Sequence, residues 1–215
     1  MPAPAKATQG MPEPIRVFLA TSNPEKLCEY SVLAGEFSVE LALLPNFREI
    51  PAFEESAPTF AENAAAKALY YSKLSSGIVL ADDSGLVVPA LGGAPGIHSA
   101  RYAGPNTTDA DRVRKLLREM EGKEGPERRA RFVCVTAIAQ RGRVLAVVSD
   151  FAEGTLTKEP RGTDGFGYDP IFFFEQLGHT YAEISREEKN QYSHRGKAFR
   201  KALAVLAAWN SATFL

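Results

Sequence analysis

The chain is poor in the features that would mark it as membrane-bound, secreted or nucleic-acid-binding. No stretch approaches the roughly 18 consecutive apolar residues that a bilayer-spanning helix needs. The opening "MPAPAKATQGMPEP" has Ala and Pro where a signal peptide needs a continuous apolar core. Cysteine is scarce: Cys28 and Cys134 lie far apart, with no CxxC and no Cys/His ligand spacing, and are expected to be buried thiols in a reducing compartment. Charge of one sign is also missing. Lys and Arg total 25 against 26 Asp and Glu, a net charge of -1, and the pI is about 6.3. No global field draws in DNA or RNA, so any phosphate binding must be local. There is no internal repeat, no P-loop ending in Lys-Ser/Thr, and no Ser/His/Asp triad that spacing can assemble. These absences predict a cytoplasmic protein with neither nucleic acid nor membrane as partner.

What is present is ordinary in amount and unusual in arrangement. At 215 residues, 45% hydrophobic and 24% charged, the chain can build a full core, burying roughly 70% of its unfolded surface. Residues 1–14 are expected to be a disordered leader, and 15–215 a single domain. "IRVFLAT" (15–21) suits a buried strand, followed at once by a helix with Asn23 as N-cap and Pro24 in its first turn. "FSVELALL" alternates as a second strand, and the Pro-rich 45–58 reads as a loop. Thr59 and Glu62 form a capping-box pattern before the alanine-rich helix "TFAENAAAKALYYSKL". "IVLADD" reads as a strand ending at Asp82 and Asp83, where open α/β sheets bind ligands. A helix from Thr108, a long hairpin turning at "RGR", an aromatic strand after "RGTDGFGYDP" and a terminal helix capped by Ser193 complete the order. The fold class is mixed α/β: a twisted sheet flanked by helices, with two lobes around a central cleft.

Five stretches carry groups with chemistry. In "TSNPEK", a helix N-terminus with its free N–H groups, partial positive charge and Lys26 suits phosphate; a well-capped helix with a solvent-facing lysine is the plainer alternative. Glu54 and Glu55 in the loop, with Asp82 and Asp83, form an acidic group. Adjacent carboxylates repel, and a hard divalent cation relieves that cost; Mg²⁺ needs only one or two of them and keeps its other positions for water and phosphate. Asp83 capping a turn is the competing reading. Asn63 and Lys67, four apart, share a helix face; the lysine there either reaches water or takes an acid, for which the Asp pair is the candidate. In "GTDGFGYDP", glycines at 162, 165 and 167 permit turns around Phe166 and Tyr168, rings able to stack on a nucleobase. Lys189, His194 and Arg195 are donors; the last two stand at a helix start, where basic residues oppose the macrodipole and so suggest a role.

In this order, "ATSNPEK", "TFAENAAAKA", "ADDSGLVVPALGGAPGIHSARYAG", "GTDGFGYDPIF" and "SHRGKA" resemble the inosine triphosphate pyrophosphatase family over nearly the whole chain from Ile15. Ser22 departs from it, standing where glycine is common, and the leader before Ile15 is extra. The resemblance implies a homodimer and Mg²⁺-dependent hydrolysis of non-standard purine triphosphates (ITP, dITP, XTP) to monophosphate and pyrophosphate. It assigns the triphosphate to Thr21, Ser22, Asn23, Lys26, Asn63 and Lys67, with Lys67 counted as catalytic beside Asp83. Metal would fall to Glu54 or Glu55 with Asp82 and Asp83, Asp83 would be the general base, and Ser84 would touch substrate. Phe166, Gly167, Tyr168 and Asp169 would wall the base, with Lys189, His194 and Arg195 completing the pocket. Two other readings remain at this stage: a pyrophosphatase for modified pyrimidine nucleotides, and a nucleotide-binding sensor without turnover.

Overall fold

The computed structural model describes residues 15–37 and 39–212; the expected disordered leader, 1–14, lies outside the described residues. Seven strands among them form one sheet in the order β2-β1-β3-β4-β5-β6-β7. They are β1 (Ile15–Leu19), β2 (Val39–Leu43), β3 (Ile78–Val87), β4 (Arg129–Gln140), β5 (Arg143–Leu156), β6 (Phe172–Phe174) and β7 (His179–Thr180). The first three pair parallel and all later neighbours antiparallel. Parallel pairing needs crossovers, which α1 (Pro24–Gly35) and α2 (Phe60–Ser72) supply. The β4–β5 hairpin turns through Arg141 and Gly142, with φ of 49° and 73°, the left-handed pair that matches strand twist.

The helix starts follow their local chemistry. The Asn23 side chain accepts from the N–H groups of Glu25 and Lys26 at 2.9 and 3.1 Å, which closes part of the first turn of α1. Thr59 accepts from Glu62 N–H, but the Glu62 carboxylate takes the Thr59 hydroxyl rather than its backbone N–H, so this box is only half reciprocal. The complete box opens α3 (Asp109–Glu119), between Thr108 and Asp111. The chain between β7 and the C-terminal helix differs from expectation. Arg186–Tyr192 forms a further helix, α4, before Ser193 opens α5 (His194–Ala212) by accepting from Gly196 N–H. One cysteine expectation also fails: Cys134 is buried, but Cys28 is exposed on α1, because the buried side of that helix runs through Glu29, Tyr30, Leu33 and Ala34.

The core is divided. One apolar cluster packs α1 and α5 on one face of the sheet (Leu19, Leu33, Leu80, Ile138, Phe199), and another packs α2 on the opposite face (Ala64, Ala68, Val79, Ala81, Ala137). A third lies toward the far end of β3 and β4, where Leu86, Phe132, Phe172 and Tyr181 meet α3 through Val113 and Leu116. The cleft opens between this third cluster and the other two. Among the described residues, no helix is long and apolar enough to cross a membrane.

Candidate active site

The cleft exists because β1 is short and β3 is long. β1 pairs with β3 only over Ile78–Leu80, while β3 pairs with β4 along Val79–Val87. Beyond Leu80 the outer edge of β3 has no strand beside it among the described residues, and its polar groups find other partners. Asp82 carbonyl accepts from Lys67 Nζ at 3.4 Å, and Leu86 N–H donates to Ser99 Oγ at 2.9 Å. Backbone groups two residues apart point the same way, so the amide of Ser84 faces this open edge too. Asp82 and Asp83 therefore sit mid-strand rather than at a strand end, which corrects the boundary expected from "IVLADD".

Alternation along β3 separates the two aspartates. Asp82 shares a face with Leu80 and Ser84, and its register partner is Thr136. Its carboxylate, fully buried, meets Lys26 Nζ at 2.9 Å and Arg195 Nε at 3.6 Å. Burial works to raise this carboxyl, but Lys26, Arg195 and Lys67 hold it well below the usual carboxylate range. Asp83 points to the α2 face, where Asn63 donates to it at 2.9 Å. Burial, then the charge of Glu55, pushes the Asp83 carboxyl up to about 6. One aspartate is held ionised by cations; its neighbour, lining the cleft, has a carboxyl raised toward neutrality.

The Pro-rich loop is tied to α2. Asn63 accepts from Ala57 N–H at 2.9 Å and donates back to Ala57 carbonyl at 3.3 Å, and Lys67 Nζ meets Glu55 Oε1 at 2.6 Å. Lys67 is therefore ion-paired to Glu55, not to the Asp pair. Glu55 lines the cleft, whereas Glu54 is exposed outside it. At the α1 corner, Asn23 and Lys26 line the cleft, Thr21 is buried beneath Asn23 N–H, which donates to its Oγ1, and Ser22 is exposed without lining it.

The opposite wall is aromatic and cationic. Gly162, Gly165 and Gly167 take φ of 78°, 72° and 65°, and the turns they permit place Asp169 so that it accepts from Phe166 N–H at 2.9 Å. Tyr168 donates to Ser99 carbonyl at 3.0 Å. Lys189 Nζ and Arg195 lie 4.9 and 5.6 Å from the Phe166 ring centre. Neither cation is free: Lys189 is paired with Glu29 and Asp169, and Arg195 with Glu29 while it donates to Ser84 Oγ at 2.9 Å. His194 lies flat on Phe132, with centroids 4.7 Å apart and planes 8° off parallel. Burial first, then Arg195 and Lys189, keeps its imidazole neutral, and its Nδ1 is buried without a hydrogen-bond partner. The cleft these groups line has a volume of about 420 Å³.

Glu29 escaped the sequence reading. It is buried on α1 and binds both Lys189 and Arg195, whose charges outweigh burial and hold its carboxyl well below its ordinary range. The available signal was an acid on the same helical face as Tyr30 and Leu33, where an unpaired charge would not persist. Phe132, Ser99, Arg101 and the Asp109–Arg112 pair were missed for a different reason. They come from separate elements, and only folding brings them to one cleft.

A mixed α/β sheet with cations, a poised carboxyl and an aromatic wall gathered at a helix N-terminus defines a nucleotide-phosphate class of site. The chain belongs to the Ham1 family, whose model matches residues 17–205. It is 48% identical over 185 residues to a dITP/XTP pyrophosphatase of Geobacillus kaustophilus, covering 86% of this chain and 91% of the relative. Its fold is similar to a HAM1 protein of Coxiella burnetii, with a TM-score of 0.80 and 40% identity over 90% of this chain and 99% of that one. A Ham1 protein of Staphylococcus aureus is similar with a TM-score of 0.79 and 36% identity, covering 90% and 98% of the two chains. The family resemblance read from the motifs is borne out.

Proposed function

We propose that this chain is a nucleoside triphosphate pyrophosphatase that hydrolyses non-standard purine nucleotides (dITP, ITP, XTP) to the monophosphate and pyrophosphate, removing them from the nucleotide pool. The observation that carries the reading is that one cleft of about 420 Å³ is lined together by Lys26, the raised Asp83 carboxyl and the Phe166 ring, groups suited to the phosphate, the attacking water and the base of one nucleotide. Asp83 takes the proton of a water whose oxygen attacks the α-phosphorus. The bond from that phosphorus to the bridging oxygen breaks, and pyrophosphate leaves with the electron pair. Lys26, Asn23 and the Ser84 amide hold the phosphates, with Lys67 supporting them through Glu55. Asp82, buried between Lys26 and Arg195, anchors these two cations from behind.

Among the described residues no cluster of three or more His, Cys, Asp or Glu is built to cage a metal. A pair of carboxylates in a cleft, Glu55 and Asp83, whose charges disfavour one another, instead fits Mg²⁺, which binds through one or two carboxylates plus substrate phosphate. We assign Mg²⁺ to these two. Bound there, it supplies neutralisation of phosphate charge. On the base side, Phe166 stacks, and the neutral His194 lines the wall where a purine O6 would need a donor. An adenine N6 amine would leave that donor unpaired, a mismatch able to discriminate by roughly 10⁴.

The test is a nucleotide panel with pyrophosphate detection in Mg²⁺ buffer, including ATP, GTP and pyrimidine triphosphates. Release from dITP, ITP and XTP far above the rest is expected; equal rates on all purines would remove the specificity claim. We also propose a cytoplasmic homodimer with no nucleic-acid or membrane partner. Val147 and Phe151, 45% and 47% exposed, stand on the α2 face of β5 beyond the cover of α2 and mark the apolar surface for a second copy.

A further inference from the structure

One cation in the cleft is not accounted for by the roles above. The other cationic side chains lining it, Lys26, Arg112, Lys189 and Arg195, are each held by a carboxylate. Arg101 has no ion pair among the described residues. Its guanidinium makes one hydrogen bond, from Nη2 to the carbonyl oxygen of Glu55 at 3.2 Å, and its side chain is exposed at the rim.

The backbone that carries Arg101 is firmly placed. It ends the 3₁₀ turn Gly96–Arg101, which lies so close to β3 that a Cβ on Gly85 would come within 2.4 Å of Gly96 carbonyl and 2.5 Å of Ser99 Oγ. Ser99 then pins the turn: its Oγ accepts from Leu86 N–H and donates to Gly96 carbonyl at 2.6 Å, and its carbonyl accepts from Tyr168 OH. A fixed base carrying an exposed fork of N–H donors that no carboxylate holds is suited to a polyanion that arrives and leaves. The place also matters. Arg101 is tethered at the carbonyl of Glu55, whose carboxylate pairs with Lys67 and adds to burial in raising Asp83, so it stands beside the groups given to the phosphates and the metal.

We infer that Arg101 is a further catalytic residue, which binds the β- and γ-phosphates and stabilises the pyrophosphate as it departs. This rests on the pyrophosphatase reading. As the α-phosphorus bond breaks, negative charge grows on the leaving bridging oxygen, and an arginine with spare donors strengthens its hold at that moment. A cation already neutralised by a carboxylate does this less well, since binding must compete with the existing pair.

The experiment is calorimetric titration of wild type, Arg101→Ala and Arg101→Lys with inorganic pyrophosphate and, separately, with inosine monophosphate, in Mg²⁺ buffer. Arg101→Ala should weaken pyrophosphate by about tenfold or more and leave the monophosphate within twofold, with Arg101→Lys intermediate. Unchanged pyrophosphate affinity, or an equal loss for both ligands, would overturn the assignment. Melting temperatures of the variants should match wild type, because the side chain is exposed and its removal opens no cavity. The parent reading is tested separately, by wild-type release of pyrophosphate from inosine triphosphate, which involves no variant.

Discussion

Asp83 is the residue at which burial and chemistry are most directly coupled. Its folded-state carboxyl, pushed up to about 6 by burial and then Glu55, lies above the ordinary unfolded value near 3.9. Between those values the folded protein holds the proton more tightly than the unfolded chain does. The stability this group contributes is therefore full below about pH 4 and lost as pH rises through about 6. In metal-free protein, urea unfolding should show wild type losing about 2 kcal/mol relative to Asp83→Asn between pH 4 and 7; parallel stability curves would contradict the burial argument. The same variant should lower turnover by at least about 10²-fold, the usual worth of a positioned base, with nucleotide affinity kept within a few-fold. The two cysteines give a simpler check at this scale. Cys28 is exposed and should react with a thiol reagent in the native protein, whereas Cys134 is buried, with its thiol pushed up to about 12, and should react only on unfolding.

At the scale of elements, α1 does more than present an N-terminus. Asn23 already satisfies two of its first N–H groups, so in the proposed role the helix would meet phosphate mainly through Lys26 and the Asn23 side-chain amide. Its second turn meanwhile places Glu29 behind the cleft wall, against Lys189 and Arg195. Glu29 joins α1 to α4 through Lys189 and to α5 through Arg195, three elements that meet at one carboxylate. Glu29→Ala leaves two buried cations short of their partner and should cost about 3–5 kcal/mol in urea denaturation. A loss below about 1 kcal/mol would mean that Asp169 and Asp82 suffice to hold those cations. The macrodipole objection to His194 and Arg195 at a helix start is answered in the same way: Arg195 is neutralised by Glu29 and Asp82, and burial keeps His194 uncharged.

For the whole molecule, one sheet passes beneath a divided core, and the place where β1 stops while β3 continues becomes the cleft. The outer surface of β5 carries Val147 and Phe151 on the face they share with their register partners Ala137 and Val133. Light scattering should give twice the 23.4 kDa of one chain, and Phe151→Glu should return it toward the single-chain mass; a wild-type monomer would remove the homodimer.

Local chemistry was legible without coordinates. Helix starts at Asn23, Thr59 and Thr108 depend on side chains two or three positions from the backbone they cap. The β4–β5 turn depends on one glycine pair-position, and the motif order alone carried the family. Less legible were the end of β3 and the opposite facing of Asp82 and Asp83. The first depends on β4 supplying partners out to Val87, the second on the strand continuing through both residues. Glu29, Arg101 and Phe132 were beyond reach because each acts through groups remote in the chain. Capping, turns and apolar periodicity act over a few residues and so are written in the order of the amino acids. Which carboxylate stays ionised, which is left poised, and which arginine keeps its donors free are set by burial and by charges brought together from distant segments, and those come into being only when the chain closes on itself.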